Sequence, residues 1–130
     1  MLDHTKKINC MRDPTRGGVA ATLNEIAKSA AKGIKLVESD IPLDESVKAA
    51  SDILGLDPLY IANEGKVLVI VDPKSAEDVL AVMKRFDEGK KASIIGTVVT
   101  DHPSRVIMET AIGTKRIVDM PSGEQLPRIC

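Results

Sequence analysis

The chain has 130 residues, 18 Lys and Arg against 19 Asp and Glu, a net charge of -1 and a hydrophobic fraction of 43%. That is the length of one domain, and the balanced charge argues against nucleic acid and membrane surfaces as partners, because both demand an excess of Lys and Arg. Aromatics are scarce, with Tyr60, Phe86 and no Trp, so stacking platforms for single-stranded bases are excluded; the longest apolar run, Val67 to Val71, cannot cross a bilayer, and no signal-peptide pattern opens the chain. The chain reads as cytoplasmic.

The first residues carry no helix signal, and Ile8 to Met11 reads as a short strand entering at once, which suggests a piece of a longer protein. Val19, Leu23, Ile26, Ala27 and Ala30 then fall on one face of a helix, with Gly33 as its expected stop. Ile34 to Glu38 reads as a strand. Leu43, Val47, Ala50 and Leu54 define a second helix between Asp44 and Gly55, and Asp57-Pro58 is a turn signal. Leu59 to Ala62 reads as a short strand or a packed loop, and Val67 to Val71 as a buried strand. Asp72-Pro73 opens a third helix with Ala76, Val79, Leu80, Met83 and Phe86 inward. Strands are expected at Ser93 to Val99, Arg105 to Thr110 and Lys115 to Val118. Helices separate the early strands but not the last three, so the fold class is α+β, a mixed and partly antiparallel sheet covered by helices. The domain is expected to span residues 1–119, with 120–130 as an extended, flexible tail.

Three segments could carry chemistry. In Asp13–Gly18, Gly17 and Gly18 at a strand-to-helix junction let the backbone approach a ligand, the helix start offers N–H groups, and Arg16 adds a cation. Together with Asp13 and Thr15 these make a candidate nucleotide or anion site; the plainer reading is a tight turn in which Asp13 or Thr15 caps the helix. No Walker loop and no GxGxxG is present. In Asn63-Glu64-Gly65-Lys66, Glu64 is a candidate general base, or a solvated residue of a surface turn with Gly65 left-handed. The third segment is the end, Pro127-Arg128-Ile129-Cys130. Ten extended residues reach roughly 33 Å; Pro127 and Arg128 would position the tail, and Cys130 would be a thiol on a swinging arm, or else a terminal cysteine without a role. Cys10 reads as core, His4 and His102 as solvated, and no metal-ligand spacing occurs. Both thiols are expected to be free.

The segment Met11 to Gly18, the helix Leu23-Asn24-Glu25-Ile26-Ala27, the turn Ala62 to Lys66 and the ending Pro127 to Cys130 closely resemble, in order and separation, the HypE family of hydrogenase maturation proteins. The resemblance covers essentially the whole chain but matches only the C-terminal domain of that family. The glycine motif alone points to the wider superfamily of aminoimidazole ribonucleotide synthetase and selenophosphate synthetase, and the resemblance implies the fold of the synthetase C-terminal domain. It further implies that a HypF-type carbamoyltransferase loads a carbamoyl group onto Cys130. ATP, with Mg and held mainly by an N-terminal domain that nothing here resembles, activates the carbamoyl oxygen. Dehydration leaves a thiocyanate, and the cyano group passes to iron on a HypC–HypD scaffold, the full-length protein being a homodimer. Glu64 is the candidate base, and the Asp13–Gly18 loop faces the nucleotide or the tail. This half alone is expected to be inactive. Two other readings are a docking and thiol-carrier module with catalysis elsewhere, and a synthetase relative acting on a nucleotide, against which the terminal thiol speaks.

Overall fold

A computed structural model describes residues 7–122. The elements run β1 (Ile8–Arg12), α1 (Gly18–Ala30), β2 (Gly33–Val37), α2 (Glu45–Leu54), β3 (Leu68–Val71), α3 (Ala76–Met83), β4 (Gly96–Val99), β5 (Val106–Glu109) and β6 (Lys115–Ile117). A 3-10 turn, Pro58–Tyr60, lies between α2 and β3 in the chain and packs chiefly against α1. The four-stranded sheet has the order β4-β2-β5-β6. There β2 runs parallel to β5, with Ile34 opposite Val106, and antiparallel to β4, while β6 folds back on β5. β1 and β3 form a separate antiparallel ribbon. The α+β class and the mixed sheet agree with the sequence, which did not distinguish one sheet from two.

Alternation on β2 and β5 sends Ile34, Leu36, Val106 and Met108 into the core, where Val118 joins them. α1 lies on this layer through Ala20, Leu23 and Ala27, with Val19 and Ile26 at the margin. Ala30, expected on the buried face, is exposed. The small side chains of Ala20 and Ala27 let the helix come close to the sheet.

The helix ends at Ala31, which takes the left-handed conformation at φ 50 and donates its N–H to the last turn. Gly33 is therefore not the stop; it opens β2. A Cβ on Gly33 would lie 2.0 Å from the Asp101 carbonyl oxygen and 2.9 Å from the His102 ring. The turn between β4 and β5 is folded onto this bare backbone. His102, expected in solvent, is partly covered there, and its Nε2 is buried without a hydrogen-bond partner among the described residues.

Two expected stripes are buried only in part. In α2 the covered residue is Ser51, while Val47 and Leu54 are exposed, Leu54 by 67%. Periodicity reports an apolar face, not whether anything lies against it. α3 buries Val79 and Val82, but the helix ends before Phe86, which is 58% exposed. Its opening agrees with the sequence: Asp72 accepts a hydrogen bond from the Lys74 N–H at 2.9 Å across Pro73. Cys10 is free and only half-buried, because it lies on the thin ribbon and not over the main sheet.

The close approach at the start of α1 is directly testable. Gly18 has φ +65, and a Cβ there would meet the carbonyl oxygens of Leu59 and Ile61 at 2.5 Å. Gly65, at φ +71, has nothing within 4 Å of that position. Gly18→Ala should cost about 2–3 kcal/mol from overpacking and a left-handed backbone, and Gly65→Ala about 1 kcal/mol from the backbone alone. Urea unfolding midpoints of the two variants measure the difference.

Candidate functional site

The loop between β1 and α1 is held from below. Pro14 is among the most fully buried side chains of the fold. Its carbonyl accepts a hydrogen bond from the Asn63 backbone N–H at 3.1 Å. Asn63 also turns its side-chain amide back onto the Ile61 carbonyl at 2.9 Å. These bonds tie the Asp13–Gly18 loop to the bend that carries Glu64, two segments about fifty residues apart in the chain. Gly18, packed on the backbone of Leu59 to Ile61, reinforces the same junction.

Within the loop, Asp13 and Arg16 are exposed, Thr15 and Gly17 partly covered and Gly18 buried. The residue that caps α1 is Gly17, at φ 67, with no side-chain cap hydrogen bond. The expected cap by Asp13 or Thr15 is thus not formed, because two left-handed glycines carry the chain into the helix and leave neither side chain in capping position. No acidic residue lies in the first turn of α1. Among the described residues Arg16 makes no ion pair, whereas its neighbour Arg12 is engaged with Glu25 of α1 at 2.8 Å. The helix start is a positive end with neither a side-chain cap nor a first-turn carboxylate to offset it.

Glu64 is exposed in a bend whose Gly65 is left-handed, as the surface-turn reading expected. Pro127, Arg128 and Cys130, with His4 at the other end, lie outside the described residues.

The periodicity reading missed the polar residues that frame this junction. Asn24, inside α1, donates its side-chain amide to its own helix at Ala20 O, 2.9 Å, and across to Val118 O, 2.8 Å. Asp57 accepts from the Leu59 N–H at 3.0 Å and from the Arg116 guanidinium at 2.7 Å. Tyr60 packs against the core. Burial pushes the Tyr60 phenol above its ordinary pKa, and the Asp57 carboxylate adds to this, while Arg116 opposes it. A poor helix former such as Asn in mid-helix was the available signal for Asn24.

The fold and site describe a small α+β domain whose candidate site is made of backbone at a glycine-lined helix start, joined to a neighbouring bend. Residues 1–109 match the model for "AIR synthase related protein, C-terminal domain", and the chain belongs to that family. The chain is 53% identical over 130 residues to the carbamoyl dehydratase HypE of Azotobacter vinelandii, covering 100% of this chain and 38% of that protein. It is similar to the crystal structure of the hydrogenase maturation protein HypE in complex with ATP, with TM-score 0.89 and 45% identity over 95% of this chain and 38% of the other. It is also similar to HypE in a HypE–HypF complex, with TM-score 0.87 and 47% identity over 92% of this chain and 39% of the other. The chain therefore spans about two fifths of the length of these relatives. No helix among the described residues is long and apolar enough to cross a membrane.

Tyr60 is the single tyrosine in a sequence without tryptophan, so phenolate absorbance reports it alone. Its folded-state pKa is raised, so the folded state holds the proton more tightly than the unfolded state does. The stability this contributes is complete below the ordinary value of 10.0 and declines as pH rises through that value towards the folded one. A titration should give a midpoint above 10.0 in buffer and near 10.0 in urea. In Tyr60→Phe the alkaline fall in stability should be shallower.

Proposed function

We propose that this chain is the C-terminal part of an ATP-dependent carbamoyl dehydratase that prepares the cyanide ligands of nickel–iron hydrogenases in the cytoplasm. The observation that carries the reading is 53% identity along all 130 residues to a protein of that name. In this reading residues 1–119 are the domain and 120–130 the tail that presents Cys130. The partners are a HypF-type carbamoyltransferase, for which the HypE–HypF complex of a relative gives support, and a HypC–HypD iron scaffold. The full-length protein is a homodimer.

The chemistry asks four things of the residues. Cys130, as thiolate, takes the carbamoyl group from its carrier and forms a carbon–sulfur bond. The carbamoyl oxygen is a poor leaving group, and ATP, when bound, supplies the phosphoryl group that lets it depart. Glu64 accepts a proton from the carbamoyl nitrogen, which must lose two on the way to the nitrile. Arg16 and the N–H groups at Gly17 and Gly18 hold the negative charge that develops on phosphate and oxygen. The product is a cysteine thiocyanate; the oxygen leaves as phosphate, and sulfur releases the cyano group to iron.

The residues present fit the phosphate part of this scheme. The start of α1 has no side-chain cap, lacks an acid in its first turn and stands beside Arg16, which makes no ion pair among the described residues, and this suits an anion. Among the described residues no group of three or more His, Cys, Asp or Glu could hold a metal ion. In this reading ATP and its Mg are held mainly by the rest of the full-length protein.

Incubation with the transferase, carbamoyl phosphate and ATP should add one carbamoyl mass to the protein and none to Cys130→Ala, read by intact mass. In the full-length protein Glu64→Gln should still be loaded but should lose water at least about 100-fold more slowly, the contribution expected of a general base. Unchanged dehydration in Glu64→Gln would favour a carrier role for this domain. Robust Cys130-dependent ATP hydrolysis by the 130-residue chain alone would overturn the expectation that it needs the rest of the protein.

A further inference from the structure

The segment leading to Glu64 meets the glycine loop at two points. At the start of the loop, the Asn63 backbone N–H donates to Pro14 O at 3.1 Å. At its end, Ile61 O lies 2.5 Å from the position a Cβ would take on Gly18. Between the two points the loop holds Thr15, Arg16 and Gly17. One side chain joins the two contacts. The Asn63 amide donates to Ile61 O at 2.9 Å, so the residue that makes the first contact also holds the carbonyl that makes the second. Asn63 is partly buried, whereas its neighbours Ala62 and Glu64 are exposed. Glu64 makes no ion pair among the described residues, so its place is that of its backbone. Beyond it, Gly65 is left-handed and has nothing within 4 Å of the position of a Cβ. The backbone of Glu64 is therefore held from the Asn63 side.

We propose that the Asn63 amide is a strut that keeps these two contacts in step, making Asn63 a positioning residue for Glu64 relative to the glycine loop. The part concerning Glu64 as a base rests on the reading under Proposed function; the strut itself does not. Without the amide donor, the Ile61 carbonyl loses a hydrogen bond and turns towards water. Its packing on Gly18 loosens, and the peptide units from Ile61 to Asn63 turn with it. The bond to Pro14 O weakens, and Glu64 moves away from the loop. A displacement of about 1 Å in a group that must meet a reacting atom can slow a reaction by up to about 100-fold.

Asn63→Asp keeps the shape but removes the amide donor, and Asn63→Ala removes the side chain. Both keep the backbone N–H of residue 63. In the 130-residue chain that N–H should exchange with deuterium about tenfold faster in either variant, after correction for the intrinsic rate, while the amides of Leu36 and Met108 keep their protection. Unchanged exchange at residue 63 in Asn63→Ala would overturn the strut. So would a loss of protection shared equally by Leu36 and Met108, which marks a general loosening of the fold. In the full-length protein Asn63→Ala should be loaded by the transferase as the parent is and should lose water about tenfold more slowly. In the Glu64→Gln background the same change should slow the reaction less than about twofold, because an absent base cannot be misplaced. Equal slowing in both backgrounds would overturn the positioning role. If Cys130 takes up no carbamoyl group, or Glu64→Gln loses water as fast as the parent, the reading of the reaction fails, and exchange at residue 63 by itself decides the strut.

Discussion

The arrangement depends on one absence of atoms. Gly18 brings the start of α1 so close to the backbone of Leu59 to Ile61 that two carbonyl oxygens occupy the space a Cβ would need. That contact fixes the helix against the 58–60 turn, and the turn in turn holds the bend carrying Glu64. The Pro14–Asn63 hydrogen bond follows from the same approach. Since α1 rises about 1.5 Å per residue, its fixed start also places Asn24 nearly two turns along, opposite the carbonyl of Val118. A side chain at position 18 would separate these segments together, not one at a time.

The chemistry at this junction is chiefly that of the backbone. The core is aliphatic, with Ala, Leu, Ile, Val and Met between one helix and one sheet, and no aromatic side chain fully inside it. Such a core fixes α1 without directing any polar side chain into a cavity. The helix start is left with N–H groups, a positive dipole end and Arg16, which can grip an anion but cannot perform covalent chemistry. In the proposed reaction the nucleophile must therefore arrive from elsewhere in the chain.

The ion pairs are of secondary weight. Arg12–Glu25 and Lys35–Glu109 are substantially exposed and hold little stability in screened solution. Lys91 pairs with Asp44 and holds its carboxyl below the ordinary value. Asp44 therefore marks the start of α2 without capping it through a side-chain hydrogen bond. Asp57 differs from these, because it serves a backbone N–H and a guanidinium at once and so joins the 58–60 turn to β6.

The sequence by itself determined the elements, since local spacing and turn chemistry are local properties. The helix beginning near Val19, the Asp72-Pro73 opening, the Gly55 stop and the late run of strands all follow from residues near one another in the chain. It also marked the glycine loop and the Glu64 bend as separate motifs, and it placed the chain among its relatives. Whether a patterned face is covered was decided by the tertiary structure. Leu54 and Phe86 stand exposed on or beside helices whose stripes are legible, and Cys10 lies on a ribbon too thin to bury it. Gly33 shows the same limit, because a glycine after a helix reads as a stop until the turn folded against it is seen. The joining of the loop to the bend, and of Asn24 to Val118, depends on contacts between segments tens of residues apart. Period and propensity carry no information about such contacts, because they are set by the packing of α1 on the sheet.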